Sequence, residues 1–280
     1  IYNGSKRLKT LKQERLNNQV AELDVATSEN MIKESIAQIY IQILYAAESV
    51  RVNENTLQVS IAQCDRGQEL LNAGSIAKSD FAQLEAQVST DRYQLVTAQA
   101  TLQDYKLQLK QLLELDGENE MNVYLPKLSD ENVLAPLPAK KDVYVSALAI
   151  RPEIEASKLN VEASELGIDI AKSSYFPTIS LSAGIGTNHT SGSDFTFGEQ
   201  VKNGWNNSIG LSVSVPIFNN RQTKSAVQKA KLQRETDMLS LLDEQKALYK
   251  TIESLWLDAN SAQQRYAAAN EKLRSTQISY

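Results

Sequence analysis

Two segments of the chain decide its fold: YFPTISLSAGIGT at 175–187 and NSIGLSVSVPIF at 207–218. In both segments apolar residues alternate with Ser, Thr or Gly. A period of two residues is typical of a β-strand that has one apolar face and one small, polar face. A polar loop that contains glycine joins the segments, and together they predict a β-hairpin with strands at 177–187 and 207–217.

Two environments accept such a hairpin. A soluble antiparallel sheet buries the apolar face in a core, whereas a transmembrane barrel turns that face to lipid and lines its lumen with the small residues. Aromatic residues stand where the interface girdles of a barrel would lie, namely Tyr175, Phe176 and Phe218 at one end and Trp205 at the other. In a barrel the lipid-facing side chains would be Ile179, Leu181, Ile185, Leu211, Val213 and Val215. The hairpin alone leaves both environments open.

Composition excludes several classes of function. The net charge is -5 and the pI is about 5.2, which predicts no nucleic-acid partner. The sequence has no run of about 18 apolar residues, so any membrane role must go through the strands. One histidine, His189, and one cysteine, Cys64, do not make a conventional triad or zinc site. We therefore predict a protein that is not an enzyme, without catalytic, cofactor-binding or metal-ligating residues.

Long amphipathic helices are predicted on both sides of the β-hairpin. From residue 5 to about 73 apolar residues recur every three or four positions, which is the period of a helix of roughly 100 Å. A helix of this length implies a coiled coil. Gly74 is expected to end it, and Ser79 with Asp80 to provide the N-cap of a return helix that continues to about residue 115. The short link forces the two helices to be antiparallel.

The order of elements divides the chain into five parts. A long helical hairpin at 1–116 is followed by an irregular, proline-containing segment at 117–150, a helix at 151–174, the β-hairpin at 175–220 and a last helix at 221–280. An offset of 216 residues aligns the apolar phase of the first and last helices, and Ile1-Tyr2-Asn3 with Ile217-Phe218-Asn219. The sequence therefore predicts a fragment of a two-repeat protomer, in which residue 1 ends a strand.

The chain resembles the outer membrane efflux protein family, the TolC-like channels. The resemblance lies in YFPTI at 175–179, VPIF at 215–218, RPEI at 151–154 and the turn at 74–80, in the order of elements described above. The chain departs from the family at Asn220, where the family often has glycine. It also has no counterpart of the first helix, the first strand and the second helical turn.

The resemblance implies a mainly α protein with a β-hairpin. Long antiparallel coiled-coil helices would form an α-barrel, and a homotrimer would close a 12-stranded transmembrane β-barrel with four strands from each protomer. The protein would lie in the outer membrane of a Gram-negative bacterium and extend into the periplasm. It would act as the exit duct of a tripartite efflux or type I secretion system. Its implied partners are outer membrane lipid, a periplasmic adaptor (membrane fusion) protein and an inner-membrane pump of the RND or ABC type.

The resemblance also assigns roles to the helical turn. The adaptor-docking tip would consist of Gly74, Ser75, Ile76, Ala77 and Lys78. Ser79 and Asp80 match a hydroxyl-acid pair that the family uses in polar contacts that hold the aperture shut. Two alternatives rest on the residues alone: any helical hairpin needs such a turn, and an acid in a first turn is favoured by the helix dipole. A soluble or periplasmic coiled-coil scaffold or adaptor is the alternative function.

Overall fold

The computed structural model describes residues 2–115, 122–126 and 133–278. The helices and strands, in chain order, are β1 (Tyr2–Asn3), α1 (Lys6–Asn72), α2 (Lys78–Leu112), α3 (Lys140–Ile150), α4 (Pro152–Lys172), a 3-10 turn (Ser173–Tyr175), β2 (Thr178–Gly186), α5 (Phe197–Asn203), β3 (Asn206–Ser214) and α6 (Gln222–Ile278). None of the helices in these ranges has an apolar stretch that could cross a bilayer. The chain forms two compact units: a coiled-coil unit, Ser28–Asn132, and a β-hairpin unit, Ile1–Thr27 with Val133–Tyr280.

The coiled-coil unit is built on a strict heptad seam between α1 and α2. Between 50 and 71, and between 81 and 105, the residues that are not exposed are separated from one another by alternately three and four positions. The seam residues are Val50, Asn53, Leu57, Ser60, Cys64, Gly67 and Leu71 on α1, and Phe81, Leu84, Val88, Asp91, Leu95, Ala98, Leu102 and Tyr105 on α2. A repeat of 3.5 residues is that of a left-handed coiled coil. The sequence predicts a coiled coil here.

The turn between α1 and α2 confirms one expectation and corrects another. Gly74 has a φ of +73°, and the amides of Gly74 and Ser75 donate to the carbonyls of Leu71 and Leu70, which is a Schellman ending. The N-cap prediction is wrong. Ala77 is the N-cap of α2 and makes no side-chain hydrogen bond. Its backbone is extended and the helix begins at Lys78, so Ser79 and Asp80 lie inside the first turn. The carboxylate of Asp80 therefore lies near the positive end of the helix dipole.

The β-hairpin unit contains a three-stranded antiparallel sheet in the order β1-β2-β3, and α4 packs against α6. Strands β2 and β3 have nine residues each, fewer than the eleven expected. Pro177 and Pro216 lie just outside the two strands, and a proline cannot donate to the ladder of hydrogen bonds. Pro152 opens α4 at its first position, as predicted.

The irregular segment is anchored on α6. Residues 116–121 and 127–132, which include the predicted end of the first helical hairpin at 116 and much of the segment from 117, lie outside the described residues. Helix α3 begins two residues before the expected position 142. The Nζ of Lys140 lies 2.9 Å from Glu253 on α6, and the indole of Trp256 donates to the carbonyl of Pro138. The hydrogen bond from Lys140 holds the pKa of Glu253 below its usual value, so this ion pair is intact at neutral pH.

The internal repeat is visible in the backbone at the offset of 216 residues. At the first strand-to-helix junction Gly4 and Ser5 have φ values of +64° and +63°, and at the second Asn220 and Arg221 have +49° and +62°. Helices α1 and α6 then begin at equivalent positions, 6 and 222. Ile1, which the sequence alignment also used, lies outside the described residues.

Aromatic residues repeat this equivalence along the helices. Tyr40 donates to the carbonyl of Tyr124 at 2.9 Å in the coiled-coil unit, and its counterpart Trp256 donates to Pro138 at 3.2 Å in the β-hairpin unit. At the same position of the repeat, each helix thus donates a side-chain hydrogen bond to a carbonyl in an irregular segment.

Candidate functional site

The register of β2 with β3 creates two unlike faces. Apolar residues oppose apolar residues in the pairs Ile179 with Val213, Leu181 with Leu211 and Ala183 with Ile209. Between them, small residues oppose small residues in the pairs Ser180 with Ser212, Ser182 with Gly210 and Gly184 with Ser208. Because directly opposed side chains lie on the same face of a sheet, we call these sets the apolar face and the small face.

The apolar face is exposed. Leu181, Leu211 and Val213 have 59, 67 and 60% of their surface accessible. Ile185 and Val215 are also exposed, although Val215 lies just beyond the end of β3, and Ile179 is half-buried. A soluble sheet would cover these side chains, and nothing in the described residues does so. A contiguous apolar surface of this kind indicates contact with lipid or with another protein.

The small face is closely packed and carries no charge. A Cβ added to Gly210 would lie 3.0 Å from Ser182 Oγ, and one added to Gly184 would lie 3.0 Å from Ser208 Oγ. Ser182 also donates to the carbonyl of Gly210 at 3.3 Å. Neither strand contains Asp, Glu, Lys or Arg. Hydroxyls and glycine backbone are suited to water, so the two faces differ in the solvent that each one accepts.

Aromatic residues bracket the two strands. Tyr175 and Phe176 precede β2, and Phe218 follows β3 at the same end of the hairpin. Trp205 immediately precedes β3 at the opposite end. All four side chains are half or more exposed. Their positions match those that the sequence predicts for membrane-interface residues, which remains a prediction.

The loop between the strands is ordered around Gln200 on the short helix α5. The side-chain oxygen of Gln200 accepts from the amide of Thr190 at 2.8 Å and lies 3.1 Å from His189 Nδ1, and its nitrogen donates to Phe195 at 2.8 Å. The ring of His189 also packs edge-on against Phe197. His189 thus has a structural role in the loop, and no group of metal-ligating residues occurs within the described ranges.

Sequence reasoning missed helix α5. A capping box opens it: Thr196 accepts from the amide of Glu199, and the carboxylate of Glu199 accepts from the amide of Thr196. The T-x-x-E spacing at 196–199 is the sequence signal that could have found this helix.

The helical turn presents the residues predicted to form the tip. Gly74, Ser75, Ala77 and Lys78 are exposed and Ile76 is half-buried. Ser79 and Asp80 are exposed as well, and Ser79 Oγ lies 3.4 Å from Asp80 Oδ1. The structure brings this pair together only through chain adjacency. Docking and aperture roles for these residues remain predictions.

Strand β3 forms an edge of the sheet. In the order β1-β2-β3, strand β2 is paired with β3 along its whole length but with β1 only at Thr178 and Ile179, whereas β3 is paired on one side only among the described residues. An open edge offers unpaired amides and carbonyls over nine residues, which is a site for pairing with a further strand.

An amphipathic β-hairpin with an exposed apolar face and an open edge is suited to a transmembrane β-barrel that further strands close. The model of the family described as outer membrane efflux protein matches residues 143–280. Residues 143–280, just under half of the chain, therefore match this TolC-like family.

Curated relatives include the outer membrane efflux protein BepC of Brucella suis, which is 25% identical over 89% of this chain and 52% of its own length. The outer membrane protein TolC of Escherichia coli is 24% identical over 93% of this chain and 55% of its own length. The chain thus spans about half the length of the curated relatives that it matches.

Solved structures share the fold. Those of CusC superpose with a TM-score of 0.77 at 20% identity, covering 98% of this chain and 64% of that chain. The structure of VceC from Vibrio cholerae gives a TM-score of 0.75 at 19% identity, covering 98% of this chain and 63% of that one. The predicted fold class, long helices with a small antiparallel sheet in a partial protomer, is confirmed.

Proposed function

We propose that the protein is the outer-membrane exit duct of a tripartite efflux or type I secretion system. It is a passive conduit for small molecules or proteins from the periplasm to the outside of a Gram-negative cell. The observation that carries the proposal is the exposed apolar face of the β-hairpin, with a small, uncharged face behind it. The names of two relatives, an outer membrane efflux protein and an outer membrane protein, support the same interpretation.

The open edge of β3 supports assembly. Lipid does not satisfy backbone hydrogen-bonding groups, so strands in a membrane must close into a barrel. One β-hairpin cannot close alone, and the repeat implies a second hairpin in the whole protein. Three copies with four strands each make a 12-stranded barrel whose small face lines a water-filled lumen.

The helical turn is the proposed contact with the rest of the system. Gly74, Ser75, Ile76, Ala77 and Lys78 form the surface on which a periplasmic adaptor docks, and the adaptor links the duct to an inner-membrane pump of the RND or ABC type. Ser79 and Asp80 take part in the polar contacts that keep the aperture closed. All of these residues except the half-buried Ile76 are exposed, which supports both roles.

A soluble scaffold or periplasmic adaptor is the other candidate function. It would leave Leu181, Leu211 and Val213 in water, at a cost of about 25 cal/mol for each Å² of apolar surface. The exposed face of the β-hairpin therefore favours the duct.

We expect the intact protein to fractionate with the outer membrane as a heat-modifiable trimer and to restore export in a strain that lacks it.

Lys78→Glu at the tip should reduce export about tenfold, the equivalent of 1.4 kcal/mol of docking free energy, and should leave the trimer intact. Lys202→Glu, in the loop between the strands, is the matched control and should export normally. A water-soluble monomer would contradict the proposed duct, and equal export by both variants would contradict the docking role of the tip.

A further inference from the structure

The heptad seam of the coiled-coil unit contains a buried carboxylate. Asp91 has 3% of its surface exposed and stands at a seam position of α2 between Val88 and Leu95. Opposite it on α1 lies Ser60, which is 7% exposed. In a seam otherwise built mainly from Leu, Val and other apolar residues, this polar pair needs an explanation.

The carboxylate of Asp91 is held by neutral donors. The Ser60 hydroxyl is hydrogen-bonded to one carboxylate oxygen and also lies 3.1 Å from the carbonyl of Thr56. The side-chain amide of Gln87 donates to the other oxygen at 2.9 Å. Among the ion pairs of the described residues Asp91 takes part in none. A polar pair of this kind contributes little to stability, but its geometry fits one alignment of the helices.

The apolar seam by itself does not select that alignment. A shift of one heptad would again place mostly apolar residues opposite one another, because both helices repeat the same spacing. The link at 73–77 permits such a shift if about one helical turn, roughly 3.6 residues, unwinds from the end of one helix and is added to the end of the other. After the shift, Asp91 would face Gly67 or Asn53, and Ser60 would face Ala98 or Leu84.

We infer that Ser60 and Asp91 form a register lock, which selects one alignment of α1 with α2. A single polar residue at a core position of a coiled coil can specify register at a cost in stability. The lock also determines which residues form the turn, since a shifted register would move the turn along the chain. Its consequence for adaptor docking rests on the proposed function, whereas the register itself does not.

The native Cys64 allows a direct test of the register. Ser60 faces Asp91, and one seam position further along lie Cys64 on α1 and Val88 on α2. At the next seam position Gly67 lies against Leu84, since a Cβ added to Gly67 would overlap the Leu84 side chain. In the observed register Cys64 therefore faces Val88, and after a shift of one heptad it faces Leu95 or Phe81. We would place a second cysteine at 88, 95 or 81 in the intact protein, treat it with a short bismaleimide, and identify the crosslinked peptides by mass spectrometry.

With Ser60 and Asp91 present, the Cys64 to Val88→Cys product should exceed either shifted product by about tenfold. Asp91→Leu should raise the shifted products to within about threefold of the 64–88 product, because a packed leucine accepts every register. Asp91→Asn keeps a hydrogen-bonding side chain and should retain the wild-type ratio. Glu85→Leu, an exposed acid on the same helix, is the matched control and should also retain it.

A 64–88 product that stays dominant in Asp91→Leu would overturn the inference. If Asp91→Leu does not accumulate, Ser60→Leu provides the same measurement from the other helix, with the same two readings. Loss of the wild-type crosslink ratio in Asp91→Leu with normal export would support the register lock and contradict its role in docking.

Discussion

Arginine at position 211 should nearly eliminate the assembled trimer from the outer membrane. Leu211 lies near the middle of β3, opposite Leu181, on the apolar face. An arginine that faces lipid at the bilayer midplane costs about 2–4 kcal/mol, and a homotrimer carries the substitution three times. We expect Leu211→Arg to lower the amount of heat-modifiable trimer at least about tenfold, measured on gels of the outer-membrane fraction.

The neighbouring residue provides the matched control. Ser212 is adjacent in the strand but lies on the small face, opposite Ser180. Ser212→Arg introduces the same charge and volume into a water-filled lumen, so the trimer should form in nearly normal amounts and its conductance should change. Equal loss of the trimer in both variants would show that the two faces do not differ in environment.

A methyl group at Gly4 should destabilise the β-hairpin unit strongly. The φ of Gly4 is +64°, and a Cβ there would lie 2.8 Å from the carbonyl oxygen of Ser173 and 3.0 Å from the Cβ of Phe176. The left-handed backbone costs an alanine about 1–2 kcal/mol, and overpacking adds about 1–3 kcal/mol. We therefore expect Gly4→Ala to lower the free energy of unfolding by about 3 kcal/mol.

Urea unfolding of the 280-residue chain, followed by tryptophan fluorescence, measures this effect, since Trp205 and Trp256 both lie in the β-hairpin unit. Gly192 is the control: its φ is +83°, and nothing lies within 4 Å of an added Cβ. Gly192→Ala should cost only about 1 kcal/mol, from the backbone alone. If the two variants lose the same free energy of unfolding, the close approach of Ser173 and Phe176 to Gly4 does not contribute to stability.

The periodic parts of the fold could be predicted from the sequence because burial imposes the period. Alternation at Ile179, Leu181 and Leu211 predicts the strands and their faces, and Gly74 predicts the helix ending, since each follows from a local rule. The environment of the apolar face could not be derived in this way. Lipid and a protein core accept the same pattern, and the exposure of Leu181 in the structure excludes only a core formed by the described residues.

The errors at element ends also have physical causes. Strands were expected to run to 187 and 217, but the ladder stops at Gly186 and Ser214, and Pro216 cannot donate to it. Ser79 and Asp80 have the composition of an N-cap, yet the backbone of Ala77 enters the helix first. Composition identifies residues that can cap a helix, whereas the chain entering from the turn determines which position does so.

The buried pair in the coiled coil illustrates a further limit. The apolar residues of α2 step by seven from Val88 to Leu95, and Asp91 fills the position between them. The sequence shows this gap in the seam, but a polar residue there can be an exposed surface position or a buried one. Only the packing against Ser60 identifies it as buried.

The two faces of strand β2 should meet different solvents in the assembled protein. The most direct measurement places a nitroxide spin label at Leu181→Cys or Ser182→Cys in the intact protein in membranes, and compares relaxation by oxygen, which partitions into lipid, with relaxation by a water-soluble nickel chelate. The label at 181 should respond mainly to oxygen and the label at 182 mainly to nickel. A label at 181 that responds to neither reagent, or mainly to nickel, would contradict the account.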